Sequence, residues 1–171
     1  MLSYRHAFHA GNHADVLKHL VLVQLLRYLN QKEKPYWFID THAGAGRYLL
    51  DSEHAVRNSE FEGGIARLWS RADLPPAVAD YVARVRGMNS DGVLRHYPGS
   101  PWLAYELMRS DDRLRLFELH PTDHRFLARA FAKAGPRAAL HMADGFQEIK
   151  SVLPPPPRRG LVLVDPAYED K

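Results

Sequence analysis

Four short apolar runs, each followed at once by an acidic or glycine-bearing motif, constrain the fold of this 171-residue chain most strongly. The first and fourth runs are continuously apolar, which is typical of a strand buried on both faces of a parallel sheet. Helical patterns separate the runs, and this alternation predicts a doubly wound α/β sheet. The four predicted strands span residues 36–39, 114–118, 138–142 and 161–165.

Helical patterns are clearest at the start of the chain and between the predicted strands. Asn12 followed by Asp15 is typical of a helix start, and apolar residues then recur at the spacing of three and four of an amphipathic helix. Pro35 ends this helix. A second helix begins at Pro101, and a third follows the second strand to about residue 133. The apolar stripe of the first helix, which we expect to pack on the core, comprises Val16, Leu17, Leu20, Val21, Leu25 and Leu29.

The alternation of strand and helix is interrupted between residue 50 and about residue 99. The pattern is weaker there, with helical stretches at 64–70 and 76–88 and no buried strand. We interpret this part as a small helical subdomain inserted into one α/β domain. The division predicted is a core at 1–49 and 93–171 and an insertion at 50–92.

Composition narrows the class of protein. The chain has no cysteine, which excludes disulfides, thiolate zinc sites and a cysteine nucleophile and fits a reducing compartment. The N-terminus lacks the apolar segment of a signal peptide, and the apolar stretch at 14–29 is too short and too charged to cross a bilayer. We therefore expect a cytoplasmic protein without a membrane segment. A net charge of +3, from 23 basic and 20 acidic residues, does not distinguish a nucleic-acid partner from an ordinary soluble surface.

Ligands of open α/β sheets bind beyond the carboxyl ends of the strands, so the residues just after each apolar run are candidates for a site. After the first run, Gly44 and Gly46 would let backbone approach a ligand closely. Glu118, after the second, can accept the hydroxyl hydrogens of a ribose. Asp144 and Gly145, after the third, can hydrogen-bond an adenine edge while leaving its face open. Taken singly, these residues also fit a plain loop, a solvated or helix-capping acid, and a turn.

The fourth run ends in Asp165, Pro166, Ala167 and Tyr168, a motif that suits methyl transfer to an exocyclic amine of a base. Such an amine is a poor nucleophile because its lone pair is delocalised into the ring, so acceptors must hold its hydrogens. Asp165 and the Pro166 carbonyl can supply these acceptors, and Tyr168 can stack on a base swung out of its helix. In isolation the motif also fits an aspartate at a strand end before a turn proline. Because the motif ends a predicted strand as the other three candidate motifs do, we favour a functional role over a plain turn.

Six longer strings are more specific than any single motif: MLSYRH at residues 1–6, FHAGNHADVLKH at 8–19, DTHAGAGRY at 40–48, YPGSP at 97–101, ELHP at 118–121 and ADGF at 143–146. Together they resemble the bacterial family of large-subunit ribosomal RNA adenine-N6 methyltransferases of the RlmJ type, once described as proteins of external DNA catabolism. The resemblance covers the whole chain. It implies a Rossmann-like class I methyltransferase fold that uses S-adenosylmethionine and no metal.

The resemblance also implies roles for individual residues. The residues implied around S-adenosylmethionine are His19, His42, Ser100, Glu118, Asp144 and Gly145, and we add Gly44 of the glycine loop to this cofactor-binding set. Asp165 is implied as the catalytic residue that holds the target amine. The residues implied on the substrate side are Tyr4, His6 and Lys18, and the motif after the fourth run adds Pro166 and Tyr168. The implied substrate is 23S ribosomal RNA free of the full ribosome, and the implied full-length state is a monomer.

Two features depart from the family pattern. Ala167 stands where the family has a second proline, so the turn that presents the Pro166 carbonyl loses a stiffening ring. The sequence stops at Lys171, just after the fourth predicted strand, whereas related proteins continue through the rest of the sheet. We therefore expect a fragment, or a protein that lost its tail, with an exposed sheet edge and low stability as a monomer.

Histidines and arginines allow further interpretations. Histidines clustered near the N-terminus invite a zinc site, but the absence of cysteine and of an enforced ligand spacing disfavours it. Arg158 and Arg159, beside the last predicted strand, are candidates for a place near the cleft. Five other arginines fit RNA phosphates and a solvated helix surface equally well: Arg57, Arg67, Arg71, Arg84 and Arg86.

Four functions remain open on the sequence. They are methylation of adenine N6 in RNA, the same chemistry on DNA, nucleic-acid binding or DNA utilisation without catalysis, and nicotinamide-dependent oxidoreduction. Residue types alone do not separate RNA from DNA. Oxidoreduction is disfavoured because the glycine loop lacks the third glycine of the dinucleotide fingerprint.

Overall fold

The computed structural model of the chain describes residues 6–51 and 59–166, with the backbone alone for His6. Within these ranges lie six strands, β1 to β6, at Trp37–Asp40, Arg47–Leu49, His96–Pro98, Arg113–Phe117, Ala138–His141 and Gly160–Leu163. Six α-helices, α1 to α6, span His13–Asn30, Ala66–Trp69, Pro76–Gly87, Ser100–Leu107, Pro121–Ala130 and Gly145–Val152. Three short 3₁₀ helices lie at His6–Phe8, Glu60–Gly63 and Gly135–Arg137. The four predicted strands are present as β1, β4, β5 and β6, each within two residues of its predicted bounds.

The main sheet has four parallel strands in the order β5-β4-β1-β6. Numbered by their appearance in the chain, these are the third, second, first and fourth strands, as in the doubly wound dinucleotide-binding fold. β1 is central, with Trp37 opposite both Arg113 of β4 and Gly160 of β6. The strand order reverses beside β1, which leaves a crevice beyond its carboxyl end. The prediction of a doubly wound α/β sheet is confirmed.

A small antiparallel ribbon lies outside the main sheet. β2 pairs with β3, and Tyr48 lies opposite Tyr97. Each strand has three residues, and β3 is largely buried. The prediction of no buried strand before residue 99 is therefore wrong, because three residues are too few to show an alternating pattern.

Helix α1 starts as predicted, because the Asn12 side chain accepts a hydrogen bond from the Asp15 N–H at 2.9 Å. The buried face differs from the prediction. Leu17, Val21 and Leu25 of the expected stripe are 64%, 49% and 43% exposed. The residues that α1 buries are Asp15, His19, Leu22, Val23 and Leu26. Neither α1 nor any other helix in the described ranges is long and apolar enough to cross a membrane.

Helix α3, from the region predicted as an insertion, shares the main hydrophobic core. It buries Tyr81, Val82 and Val85 in the same cluster as Leu22 and Leu26 of α1. Burying these side chains contributes on the order of 1.5–3 kcal/mol each. Helix α3 of the predicted insertion therefore packs in the same core as α1. The division into domains stays a prediction.

Asp112 connects the starts of β1 and β4 by hydrogen bonds. Its fully buried carboxylate accepts hydrogen bonds from the Tyr36 N–H at 3.0 Å and the Arg109 N–H at 2.9 Å. The Arg109 guanidinium donates to both carboxylate oxygens at 3.0 Å. Burial raises the pKa of Asp112, but these bonds outweigh burial and hold its pKa below the usual value. Asp112 is therefore a charged group on which two neighbouring strands depend.

Replacing this residue, Asp112→Ala, should lower the free energy of unfolding by about 2–4 kcal/mol, because a buried amide and a guanidinium lose their acceptor. Urea unfolding followed by circular dichroism measures the change. The exposed neighbour Asp111 supplies the control, and Asp111→Ala should stay within about 0.5 kcal/mol of wild type. Equal stability of the two variants would show that the contacts of Asp112 contribute little.

Candidate functional site

The loop after β1 depends on two glycines with left-handed backbone angles. Gly44 has a φ of +61° and Gly46 a φ of +75°, a region that other residues rarely adopt. A Cβ added at Gly44 would also lie 2.2 Å from the Tyr48 hydroxyl oxygen. That oxygen accepts a hydrogen bond from the Ala45 N–H at 3.2 Å, so the loop is closed against β2. Only glycine fits at position 44 without moving the loop.

Glu118 follows β4 and joins it to the glycine loop. Its Oε2 accepts a hydrogen bond from the Gly44 N–H at 2.7 Å, and its Oε1 accepts one from the His120 N–H at 2.7 Å. Burial raises the pKa of Glu118, and the two N–H groups oppose that rise. A carboxylate has about four lone-pair positions, so each oxygen keeps capacity for a ligand hydroxyl.

Asp144 and Gly145 bring helix α6 against the loop after β1. Asp144 caps the helix, since its Oδ1 accepts from the N–H groups of Phe146 at 2.8 Å and Gln147 at 3.4 Å. Gly145 packs directly on the backbone of Thr41, and an added Cβ would lie 2.2 Å from the Thr41 carbonyl oxygen. The N-terminus of α6 is therefore in contact with the carboxyl end of β1.

Asp40, the last residue of β1, is fully buried behind the glycine loop. Its Oδ2 accepts a hydrogen bond from the Ser100 hydroxyl at 2.6 Å, and its Oδ1 accepts one from the His42 N–H at 3.1 Å. Burial raises the pKa of Asp40 to about 6, against the lowering effect of these bonds and of Lys18. We did not predict Asp40 as a site residue although it ends the first apolar run, because a structural acid and a ligand contact look alike in sequence.

Lys18 of α1 bridges two carboxylates. Its ammonium nitrogen lies 2.7 Å from Oδ1 of Asp15 and 2.6 Å from Oδ2 of Asp165. Burial by itself lowers the pKa of Lys18, but the two carboxylates outweigh burial and raise the pKa to about 12. Lys18 therefore stays charged and fixes the position of Asp165 after β6.

His42 packs edge-on against Phe146, with ring centroids 4.9 Å apart. Its Nδ1 lies 2.8 Å from the Thr41 hydroxyl oxygen. Burial lowers the pKa of His42, while Asp144 and Asp165 act in the opposite direction. The ring is therefore mainly neutral at pH 7 and offers a flat, uncharged surface.

These side chains meet at one cavity of about 310 Å³. Tyr4, the side chain of His6 and Tyr168 lie outside the described residues. Ten predicted site residues line the cavity: Lys18, His19, His42, Gly44, Ser100, Glu118, Asp144, Gly145, Asp165 and Pro166. The lining residues that we did not predict as site residues include Thr41, Tyr48, Leu119, His120, Asp123 and Phe146. Leu119, His120 and Phe146 belong to strings already singled out, so their position beside the acidic residues could have identified them.

Arg158 and Arg159 lie at the other end of the sheet. They precede β6, and the Arg159 carbonyl accepts a hydrogen bond from the Trp37 N–H at 3.0 Å. The Arg159 guanidinium donates to the backbone carbonyl of Lys34. The prediction that placed both arginines near the cleft is wrong, because the whole length of β6 separates them from Asp165.

Three of the five arginines considered for RNA contact are engaged within the protein. These internal contacts favour a structural role for the three arginines over phosphate binding. Arg57 lies outside the described residues. The contacts are Arg71 with Asp73, Arg84 with Asp80, and Arg86 with the Trp69 carbonyl.

Negative charge predominates at the cavity wall, where Glu118, Asp123, Asp144 and Asp165 accompany Lys18. This surplus suits a cationic ligand, and acceptor oxygens at the strand ends suit the hydroxyls and amine of a nucleoside. Among the described residues, no group of three or more histidines, aspartates or glutamates could hold a metal ion. The residues present therefore fit a nucleoside that carries a positive charge, as the sulfonium of S-adenosylmethionine does.

Strand order, glycine loop and acidic strand ends around one cavity together define a Rossmann-like nucleoside-binding fold. A solved structure of a Legionella pneumophila protein shares this fold with a TM-score of 0.86 and 40% identity. The match covers 94% of this chain and 59% of that one. Residues 33–171 also match the family model described as ribosomal RNA large subunit methyltransferase D, RlmJ. The chain belongs to this methyltransferase family, as the resemblance implied.

Two curated relatives extend the likeness over the whole chain. The chain is 54% identical over 171 residues to ribosomal RNA large subunit methyltransferase J of Escherichia coli. It is 50% identical over 172 residues to the protein of the same name from Haemophilus influenzae. The chain spans 61% of the length of each of these relatives.

The variant Gly145→Ala should lower the free energy of unfolding by about 1–3 kcal/mol, because its Cβ would meet backbone that cannot rotate away. Gly87 at the end of α3 is the matched control, since an added Cβ there meets nothing within 4 Å. Gly87→Ala should be neutral or stabilise by up to about 1 kcal/mol. Thermal unfolding compares the two, and equal stability would contradict the close approach of α6 to β1.

Asp40 should titrate near pH 6 in the folded chain, because burial favours its neutral form. Between the usual pKa of 3.8 and about 6, the folded state then binds more protons than the unfolded state. Stability from this group should fall as pH rises through that window. Carbon-13 NMR of the aspartate carboxyls measures the midpoint, and Asp40→Asn should remove that one titration. Aspartates that all titrate below pH 5 would refute the assignment.

Proposed function

We propose that this chain forms the cofactor-binding part of an enzyme that methylates N6 of an adenine in 23S ribosomal RNA with S-adenosylmethionine. The observation that carries the proposal is the meeting of ten predicted site residues at one cavity. Membership of the RlmJ family supports it, as do two relatives named ribosomal RNA large subunit methyltransferase J. No metal takes part in the proposed reaction.

The residues of the cavity support S-adenosylmethionine as the cofactor. Glu118 retains lone pairs for the two ribose hydroxyls, and Asp144 can accept a hydrogen from the adenine amine. His42 and Phe146 offer ring surfaces on which the adenine can lie. The predominantly acidic wall is compatible with a positively charged sulfonium.

Asp165 and the Pro166 carbonyl support methylation of an exocyclic amine. Bound S-adenosylmethionine supplies the activated methyl group. One oxygen of Asp165 is held by Lys18 at 2.6 Å, which leaves the other to accept a hydrogen from the amine, while the Pro166 carbonyl accepts the second. Held in this way, the nitrogen directs its lone pair at the methyl carbon. The nitrogen would lose one proton as its bond to the methyl carbon replaces the bond from that carbon to the sulfur, which leaves as a neutral thioether. Asp165, which is 35% exposed, can take up that proton and pass it to water.

The substrate side of the proposal concerns how the adenine arrives. An adenine must leave its helix to reach the cavity, because its N6 group is otherwise inaccessible. We propose that Tyr4, His6, Lys18 and Tyr168 contact the base while Asp165 holds its amine. The proposed substrate is 23S ribosomal RNA free of the full ribosome, in the cytoplasm, and the proposed active state is a monomer.

The variant Asp165→Ala should bind S-adenosylmethionine about as well as wild type but transfer methyl at least about 100-fold more slowly, because the amine loses an oriented acceptor. Calorimetric titration measures binding, and tritium transfer from labelled cofactor measures turnover. Asp144→Ala is the matched control, since it should weaken cofactor binding itself. Equal turnover by Asp165→Ala and wild type would contradict the role of Asp165 in holding the amine.

The same tritium assay tests the substrate. Purified 23S ribosomal RNA and duplex DNA are offered at equal adenine concentration, and methyl is expected only in N6-methyladenosine of the RNA. Methylation of the DNA alone would overturn the assignment to RNA. No heat of binding with S-adenosylmethionine would favour a nucleic-acid-binding protein without catalysis.

A further inference from the structure

Three buried side chains outside the proposed reaction form a line of hydrogen bonds that ends at the cofactor cavity. The hydroxyl oxygens of Tyr81 and Tyr97 lie 2.8 Å apart, and the Tyr97 oxygen lies 2.9 Å from Nδ1 of His19. All three residues are at most 1% exposed. His19 lines the cavity, whereas Tyr81 belongs to α3, in the region predicted as an insertion.

The direction of these hydrogen bonds follows from the number of acceptors. Within the part of the chain that the structure describes, the Tyr81 hydroxyl has one hydrogen-bond partner, the Tyr97 oxygen. Tyr81 must therefore donate to Tyr97, because a buried hydroxyl hydrogen without an acceptor is costly. Among the described residues, the hydrogen of Tyr97 then has one acceptor left, which is Nδ1 of His19. The opposite direction would leave the Tyr81 hydrogen without an acceptor.

An accepting Nδ1 determines the state of the His19 ring. A neutral imidazole that accepts at one nitrogen carries its hydrogen on the other, so His19 is the tautomer protonated on Nε2. The stacked rings of His19 and Tyr97, with centroids 5.6 Å apart, also restrict how the imidazole can turn. Burial raises the pKa of both tyrosines above the usual value, so both hydroxyl hydrogens remain in place at neutral pH.

We propose that Tyr97, supported by Tyr81, is a positioning residue that holds His19 in the Nε2–H tautomer and in one orientation at the wall of the cofactor cavity. The role in cofactor binding rests on the function proposed above. Neither tyrosine lines the cavity, so each acts through His19. The region with the weakest sequence pattern thereby contributes to the site without touching the ligand.

Nitrogen-15 NMR of the histidine rings tests the tautomer directly in the 171-residue chain. Wild-type His19 is expected to show the shifts of the Nε2–H tautomer, with the resonance assigned by its loss in His19→Gln. Tyr97→Phe should convert this pattern to a mixture with the Nδ1–H form. Tyr81→Phe is the matched control, because Tyr97 can still donate to His19 and the tautomer should be retained. A wild-type Nδ1–H tautomer would overturn the proposal even if the Tyr97 variant failed to fold.

Cofactor binding tests the consequence. Tyr97→Phe should weaken S-adenosylmethionine binding about tenfold in calorimetry and raise KM for the cofactor, with kcat little changed because Asp165 is intact. Tyr81→Phe should change the affinity by less than about threefold. Tyr105→Phe, which lies outside this line of hydrogen bonds, should not change it. Wild-type affinity in Tyr97→Phe would overturn the positioning role. A wild-type chain that shows the expected tautomer but binds no S-adenosylmethionine would instead refute the proposed function.

Discussion

The two hydrogen bonds that Glu118 accepts from backbone N–H groups determine the shape of the site, because they join the end of β4 to the glycine loop after β1. Parallel strands bring their carboxyl ends to one edge of a sheet, but the loops beyond that edge can still diverge. The contact of Glu118 with Gly44 closes this gap on one side. The packing of Gly145 on the Thr41 backbone closes it on the other. One wall of the cavity is therefore fixed by the Glu118 carboxylate, and the other by packing of backbone on backbone, which side-chain rotation cannot relax.

Charge at the same edge depends on a second set of contacts. Carboxylates gathered at one wall repel each other, and Lys18 offsets part of this repulsion by bridging Asp15 and Asp165. Asp15 is itself held by the Gly11 N–H at 3.0 Å. A continuous series of polar contacts thus connects Gly11, before α1, with Asp165, after β6. This series explains why α1 buries an aspartate on the face where a sequence pattern would place leucines.

The extent to which sequence predicts this molecule follows from the range of the interactions involved. β1, β4, β5 and β6 were predictable because each contains a short, mainly apolar run, and the acidic residues that follow these runs stand out. Burial of Asp15 and His19 was not predictable in this way. His19 depends on Tyr97, which is 78 positions away in the chain. Asp15 is held by the nearby Gly11 N–H and Lys18, contacts that no apolar pattern indicates. The error on Arg159 was avoidable, because a residue that precedes a parallel strand lies at the edge of the sheet opposite the carboxyl ends where ligands bind.

The long stretch of chain between Gly46 and Glu118 stabilises the glycine loop. The chain returns through β3, and the Gly99 N–H then donates to the Gly46 carbonyl at 2.9 Å. A Cβ added at Gly99 would lie 3.0 Å from that carbonyl oxygen, so the absence of a side chain at Gly99 permits the close return. The next residue, Ser100, begins α4 and donates to the buried carboxylate of Asp40. The segment that returns to the core after the predicted insertion therefore supports the site from behind, because it contains both the Ser100 partner of Asp40 and the Tyr97 partner of His19.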